Sequence, residues 1–330
     1  MMDILKILEE MTQIASPSGE ENAIREYIAS YAKEYCDEIN TDAMGNLIAR
    51  KKGSGKKIML AAHMDEIGVI ITDIDEKGFL RFSRIGGLNM RNLVNLRVRF
   101  SGGIEGVIGA DEEAFKDKPS YDKLYIDIGA GDKEDAEKSV RVGDTAVFVS
   151  NFTRQGDTVI SKALDNRAGC ALLMYAMAEE RNSENDLYFV FTTQEEVGLR
   201  GAKTAAFNIE PQIALAVDVT DTGDVQGAPK MAVKMGGGAA VKVMDRSVIC
   251  DALVRARLTE IAKEHNIPYQ LEIMTDGGTD AGAIHLTRAG VKTGGISIPT
   301  RYIHSVSEMA SISDIENAAK LLTEAVKISW

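Results

Sequence analysis

The spacing of apolar residues predicts helices near both ends of the chain. The first predicted helix has apolar residues at every third or fourth position: Ile4, Ile7, Leu8, Met11 and Ile14. Two more helices are predicted in "SPSGEENAIREYIASYAKEY" and "DIENAAKLLTEAVKI". Near the start of each, a serine is followed three residues later by a glutamate, Ser18 by Glu21 and Ser313 by Glu316. This is the pattern of a capping box, which we expect at the start of both helices.

The middle of the chain has a different pattern, in which short alternating runs are separated by glycine-rich turns. Between residues 67 and 150 these runs are "GVIITDIDEKGFLRF", "LRVRFSG", "IEGVIGA", "LYIDIGA" and "GDTAVFV". Such runs are typical of short strands, and the one candidate helix among them covers residues 133–139. We therefore predict that residues 67–150 form an all-β domain.

Outside that segment, predicted strands and helices alternate. The predicted strands are "KKIMLAAH", "DLYFVFTT", "IALAVDV", "IPYQLEIM" and "GVKTGGISIP", and the helices between them include "AGCALLMYAMAEE" and "DALVRARLTEIAKEH". This alternation predicts a three-layer α/β fold, a doubly wound mixed sheet with helices on both faces. Residues 1–66 and 151–330 would form this domain, and residues 67–150 would be inserted into it.

Charge and composition narrow the possible functions. The formal net charge is −12 and the isoelectric point is near 5.0, so repulsion opposes binding to nucleic acid or to an anionic membrane. No apolar stretch reaches the roughly 18 residues of a membrane span, and the acidic N-terminal segment does not resemble a signal peptide. The widely separated Cys36, Cys170 and Cys250 favour reduced, buried thiols. We expect a cytoplasmic protein that acts on small solutes or peptides.

Several apolar runs end in residue types that bind metals. The ligand site of an open α/β sheet lies at the carboxyl ends of its strands. The candidate residues that follow apolar runs are His63, Asp65, Glu195, Glu196, Asp218 and His304. Asp165 lies just before a predicted helix, where the helix dipole favours a carboxylate. Each residue alone is typical of a structural role, but together they predict a metal site, because unpaired buried acids are costly.

The number of candidate ligands indicates two metal ions. A catalytic zinc ion usually has three protein ligands, whereas this chain offers two imidazoles and three or four carboxylates. In the usual two-metal arrangement a carboxylate bridges the ions and a shared water is the nucleophile. One further acid must take the proton of that water, and spacing alone leaves open whether it is Glu195 or Glu196. His265 and His285 lie in or beside predicted helices and are expected to be structural.

The order of these motifs resembles that of the tetrahedral (TET) aminopeptidases, which are dinuclear metallopeptidases with glutamyl, leucyl and deblocking members. The resemblance covers nearly the whole chain and is carried by "SPSGEE", "DAMGNLIARKKG", "AAHMDEIGVI", "LDNRAGC", "TTQEEVGLRGA", "VDVTDTGD", "DGGTDAGAIHLTRAGV" and "SIPTRYIHSVSE". The chain departs from the family pattern at Val306 and Ala239, where proline is often found. The resemblance implies a metal-dependent aminopeptidase that removes N-terminal residues from short peptides.

The resemblance also implies how the metals are bound. His63 and Asp218 would be ligands of one ion, Glu196 and His304 would be ligands of the other, and Asp165 would bridge the two. Each subunit would therefore hold two divalent ions. Zinc and cobalt suit these mixed imidazole and carboxylate ligands, and manganese also accepts them.

Two further roles and an assembly follow from the same resemblance. Glu195 would be the general base, and Asp65 would orient the imidazole of His63. Residues 67–150 would correspond to the PDZ-like domain through which family members dimerise. Six dimers of family members close into a hollow tetrahedral dodecamer, so the substrates would be peptides small enough to enter it.

Two other functions fit the same residues. Metal ligands describe the nucleophile and not the bond that it attacks, so a dinuclear hydrolase of N-acyl amides or glycosides is one alternative. The other is a catalytically inactive shell protein in which the metals only stabilise the fold. Substitution of Glu195 distinguishes this last alternative from an enzyme, because only an enzyme would lose turnover.

Overall fold

The computed structural model describes residues 3–116, 120–180, 183–228 and 230–330. The described helices are α1 (Ile4–Thr12), α2 (Asn22–Ala32), α3 (Lys133–Glu137), α4 (Leu164–Glu179), α5 (Arg200–Ile209), α6 (Ala252–Glu264), α7 (Ala281–Ile284) and α8 (Ile312–Lys327). The described strands are β1 (Glu38–Thr41), β2 (Leu47–Lys51), β3 (Lys57–His63), β4 (Gly68–Ile74), β5 (Leu80–Ile85), β6 (Arg97–Phe100), β7 (Glu105–Ala110), β8 (Leu124–Asp127), β9 (Thr145–Phe148), β10 (Thr153–Gln155), β11 (Thr158–Ser161), β12 (Asp186–Thr192), β13 (Ile213–Thr220), β14 (Ala239–Met244), β15 (Tyr269–Ile273), β16 (Lys292–Arg301) and β17 (Glu308–Ser311).

Four parallel strands form the centre of an eleven-stranded mixed sheet, in the order β12, β3, β13 and β16. β2 and β1 continue the sheet antiparallel beyond β12, and β14 pairs antiparallel with β16 on the other side. β12 and β13 follow each other in the chain but lie on opposite sides of β3, so the direction of winding reverses next to β3. In open α/β sheets such a reversal opens a crevice at the carboxyl ends of the strands.

Helices cover both faces of this sheet. Alternate residues of β3 point to opposite faces, so Ile58 and Leu60 pack with α4 and α8 while Met59 and Ala61 pack with α5. All eight residues of β13 are buried, as expected for a strand with helices on both sides. The predicted mixed α/β fold with helices on both faces is confirmed.

The segment after β3 forms a closed six-stranded barrel. Its strands follow one another in the order β4, β5, β8, β7, β6 and β9, and β9 pairs with β4 to close the ring. The barrel has its own apolar core, which includes Val69, Leu80, Phe82 and Val98. α3 lies where the sequence predicts the only helix of this segment. The identification of the barrel as a PDZ-like domain stays a prediction.

The two predicted capping boxes are wrong. The residue before α2 is Glu21, which makes no side-chain cap, and the side chains of Ser18 and Glu21 bond elsewhere. The observed cap of α8 is Ser311, two residues before the predicted cap Ser313, and its hydroxyl accepts from the backbone N–H of Asp314. At α2 the local pattern is misleading because these polar side chains support the site described below. Within the described residues, no helix has the length and apolar composition to cross a membrane.

Candidate metal centre

The predicted site residues meet in one pocket at the carboxyl ends of the parallel strands. His63 ends β3, Asp218 lies near the end of β13, and the loops after β12 and β16 carry the two glutamates and His304. The pocket has a volume of about 530 Å³. Six of the seven predicted residues line it, namely His63, Asp165, Glu195, Glu196, Asp218 and His304, whereas Asp65 is fully buried beside it.

Asp165 lies between the two imidazoles. Its Oδ1 is 3.1 Å from Nε2 of His63, and its Oδ2 is 3.4 Å from Nε2 of His304. The two oxygens of one carboxylate thus face two different potential metal ligands. The side chain of Asp165 is 8% exposed, and the peptide bond between Asp165 and Asn166 is cis.

The two adjacent glutamates point to different histidines. Oε2 of Glu196 is 3.2 Å from Nε2 of His304, whereas Oε2 of Glu195 is 3.9 Å from Nε2 of His63. Asp218 also faces His63, with its Oδ1 3.7 Å from the same Nε2 atom. Glu195 therefore lies on the His63 side of the pocket, and Glu196 lies on the His304 side.

Two clusters have ligand atoms close enough to hold a cation. In each, one ligand atom per residue lies within 4.8 Å of the others: His63, Asp165 and Glu196 in one, and His63, Glu195 and Asp218 in the other. Both clusters contain His63, so they do not coincide with the division that the resemblance implies. The imidazole of His304 nevertheless lies 3.2 Å from Glu196 and 3.4 Å from Asp165, as that division requires.

The electrostatics of the pocket favour a cation. Burial raises the pKa of Glu195 and of Asp218 well above the usual values, and neighbouring carboxylates raise both further. Burial also acts to raise the pKa of Asp165, but its contacts with His304 and His63 outweigh burial and lower it. Buried carboxylates in excess of cationic groups are costly, and a divalent ion among them removes that cost.

An unsatisfied hydrogen-bond acceptor shows whether the pocket residues fit a metal ion. Oε1 of Glu196 is buried and has no hydrogen-bond partner among the described residues. The other oxygen of this carboxylate lies 3.2 Å from Nε2 of His304, and a cation bound between such groups would explain the orphan acceptor. Imidazole nitrogen and carboxylate oxygen are ligands that zinc, cobalt and manganese all accept. The residues present therefore fit divalent metal ions.

Buried polar groups hold the backbone of the glutamate loop, the segment after β12 that carries Glu195 and Glu196. Four consecutive N–H groups, those of residues 193–196, donate to side-chain oxygens. Asn46 accepts from the first at 3.0 Å, Glu21 from the second at 3.1 Å, and Asp65 from the last two at 3.1 and 3.2 Å. The hydroxyl of Ser18 donates to Asp65 at 2.6 Å. Asp65 therefore supports both glutamates, in addition to lying 3.5 Å from Nδ1 of His63.

Sequence reasoning missed Glu308, which connects two candidate ligands. Its Oε2 accepts from the backbone N–H of Asp165 and its Oε1 from the backbone N–H of His304, both at 3.0 Å. Glu308 is 1% exposed and begins β17. Its only sequence signal is a place four residues after His304, which resembles any polar residue at the start of a strand.

Asp280 is a second buried acid that sequence reasoning missed. It lies in the loop before α7, accepts from the hydroxyl of Thr192 at 2.5 Å, and has one oxygen without a partner among the described residues. Burial raises its pKa to about 6. The histidines outside the pocket have structural surroundings, since His285 contacts the carbonyl of Ala281 and His265 lies 3.7 Å from Glu324.

The fold and this pocket together define a metal-dependent hydrolase with an acidic and imidazole ligand set at the edge of an α/β sheet. Residues 45–321 match the model of the M42 glutamyl aminopeptidase family, so the chain belongs to that family and is a metal-dependent aminopeptidase. The predicted family and activity are confirmed.

Individual relatives agree with this placement. A putative aminopeptidase of Acetivibrio thermocellus is 57% identical over 98% of both chains. The structure of the aminopeptidase APDkam598 of Desulfurococcus kamchatkensis has a TM-score of 0.94 at 39% identity, covering 98% of this chain and 94% of that one. The TET1 peptidase of Pyrococcus horikoshii, described as assembling into a tetrahedron or a large octahedral shell, has a TM-score of 0.88 at 36% identity. The match covers 98% of this chain and 99% of the TET1 chain.

Proposed function

We propose that the chain is a dinuclear aminopeptidase in which His63 and Asp218 bind one divalent ion, Glu196 and His304 bind a second, and Asp165 bridges them. The observation that carries this assignment is the position of Asp165, whose two oxygens lie 3.1 and 3.4 Å from the Nε2 atoms of the two histidines. Zinc or cobalt would occupy the sites, and manganese would also be accepted. When bound, such ions act as Lewis acids that polarise a carbonyl group and lower the pKa of water.

Glu195 would move the proton in this reaction. Its carboxylate is 10% exposed and faces the same side of the pocket as His63 and Asp218. Burial raises its pKa, which brings a carboxylate closer to the range in which it can both accept and return a proton near neutral pH. Glu195 would accept a proton from the attacking water and give it to the departing amine. Asp65 would hold Glu195 and His63 in position for this step.

The substrates would be short peptides with a free amino terminus. The carboxylates that line the pocket attract a free α-amine, and an acyl group on that amine removes its positive charge and its basic lone pair and leaves it a single N–H donor. We expect release of a chromogenic amine from unblocked amino-acid anilides and none from the matching N-acetylated anilides. Comparable hydrolysis of the acetylated compounds would contradict an aminopeptidase and support a hydrolase of N-acyl amides.

The enzyme would also assemble into a tetrahedral dodecamer built from dimers, and the tetrahedron described for the TET1 peptidase of Pyrococcus horikoshii supports a closed assembly of this kind. Residues 67–150 would form a separate PDZ-like dimerisation domain inserted between residues 1–66 and 151–330. The closed barrel with its own core supports this division. We expect light scattering of the metal-loaded protein to give about twelve times the chain mass of 35.8 kDa. A monomeric mass under these conditions would contradict the proposed assembly.

A further inference from the structure

Beyond the candidate ligands, the catalytic pocket is lined mainly by apolar side chains, together with Thr220 and Asp221. Leu199, Val219, Met274 and Ile303 contribute the large apolar side chains of its walls. Gly277 and Gly278 leave space beside Met274. Among the described residues that line the pocket, none is lysine or arginine. We infer that this pocket selects an uncharged, apolar N-terminal residue of the size of leucine or methionine and rejects acidic ones, a specificity that rests on the proposed aminopeptidase function.

An acidic side chain would lack a partner in this pocket. Asp221 lines it as an exposed carboxylate, so an incoming glutamate would meet a like charge. Recognition of a carboxylate normally uses arginine or lysine, which supply strong charge-assisted hydrogen bonds. A desolvated carboxylate without such a partner is strongly disfavoured.

Two cations on the neighbouring strands, Arg301 and Lys242, are already paired. Arg301, at the end of β16, donates to both oxygens of Asp224 at 2.6 and 3.2 Å. Lys242, in β14, is 1% exposed and is held between Glu272 and Asp245. Moving either cation toward a substrate would leave an unpaired acid behind, and for Lys242 that acid would be buried. Neither residue is therefore available to neutralise an acidic side chain.

Met274 lies where it can adapt to an apolar side chain. Its sulfur is 3.9 Å from the hydroxyl of Thr220, and a Cβ atom placed on Gly277 would come within 2.9 Å of its terminal methyl group. The thioether therefore packs along the wall between these two residues. An unbranched thioether fills irregular gaps and accepts aliphatic partners of different shape. The specificity inferred for this chain consequently differs from the glutamyl aminopeptidase activity after which its family is named.

The inference is tested with the metal-loaded protein and the unblocked anilides of leucine, methionine, lysine and glutamate. We expect kcat/KM for the leucine and methionine anilides to exceed that for glutamate by at least about 100-fold, the size of discrimination that buried polar mismatches produce. Equal rates for leucine and glutamate would overturn the inference alone. A faster rate for lysine than for leucine would also overturn it and would assign Asp221 as the partner of the ammonium group. Hydrolysis of none of the anilides would overturn the proposed function as well.

A substitution in the wall gives an independent test. Met274→Lys places an ammonium group in the pocket, so the ratio of kcat/KM for leucine to that for glutamate should fall at least about tenfold. Met274→Leu keeps an apolar wall and should leave that ratio within about twofold of the original. Metal content and circular dichroism show whether each variant is folded and loaded. An unchanged ratio in a folded, loaded Met274→Lys protein would overturn the role of this wall.

Discussion

Replacing Glu195 with glutamine is expected to reduce kcat by about 10²- to 10⁴-fold, the range that a positioned general acid and base contributes. Glutamine keeps the size of the side chain but cannot accept a proton from water. The backbone N–H of residue 195 would still donate to Asp65, so the loop should keep its shape. We expect metal content and assembly to be retained. Steady-state kinetics measures the fall in kcat, elemental analysis measures the metal content, and light scattering measures the assembly.

Glu196→Gln is the matched control for this substitution. Glu196 lies 3.2 Å from His304 and has an oxygen without a hydrogen-bond partner among the described residues, so its loss should reduce metal content as well as activity. Loss of metal in Glu195→Gln with retention in Glu196→Gln would show that the two glutamates have exchanged roles. That outcome has a structural basis, because Glu195 belongs to one of the two clusters that could hold a cation. An unchanged rate in Glu195→Gln would contradict the role of proton carrier outright.

The central sheet can be predicted from the sequence because its strands are marked by local runs of apolar residues. Continuous apolar runs such as "IALAVDV" identify strands that are covered on both faces, and β13 is buried throughout. The parallel arrangement then brings the ends of these runs to one edge of the sheet. His63 and Asp218 could therefore be predicted to meet, although 155 positions separate them in the chain.

The residues that hold the site in position, such as Glu21 and Ser18, could not be predicted in this way. Glu21 and Ser18 show the local pattern of a helix cap, yet their side chains bond to the glutamate loop and to Asp65. The competing partners come from the segments that follow β3 and β12, and nothing in the spacing of apolar residues encodes those contacts. A capping box contributes roughly 1 kcal/mol, which a buried carboxylate and its backbone donors can easily exceed.

Glu308 is the clearest example of a residue whose role depends on tertiary structure. It is separated from Asp165 by 143 positions in the chain, and its partners are backbone N–H groups, which leave no signature in the sequence. The two hydrogen bonds tie the backbone of Asp165 to that of His304 through one buried carboxylate. Both connected residues are proposed ligands of the same metal ion. The relative position of these ligands therefore depends on Glu308.

Glu308→Gln is expected to weaken metal binding by about 10- to 100-fold, the effect typical of residues that orient metal ligands. The amide oxygen of glutamine can accept from only one of the two N–H groups, and its NH₂ group would face the other donor. That backbone N–H would be left without a buried acceptor, at a cost of about 1–3 kcal/mol. Titration of the metal-free protein with zinc or cobalt, followed by calorimetry, measures the affinity of each site. The site proposed to contain Glu196 and His304 should show the larger loss, because Glu308 holds the backbone of two of its ligands.

Glu21→Gln distinguishes this effect from general damage to a buried carboxylate. Glu21 is 4% exposed and also accepts backbone N–H groups, but those groups belong to Gly19 and Gln194, which are not proposed ligands. We expect its metal affinity to fall by no more than about threefold while kcat falls, because Glu21 bonds to the N–H of Gln194, whereas the N–H groups of Glu195 and Glu196 would still donate to Asp65. Equal metal affinity in Glu308→Gln and the original protein would contradict the positioning role. Equal losses in both variants would instead mean that metal binding follows overall stability, since the two carboxylates would then act only by holding the fold together.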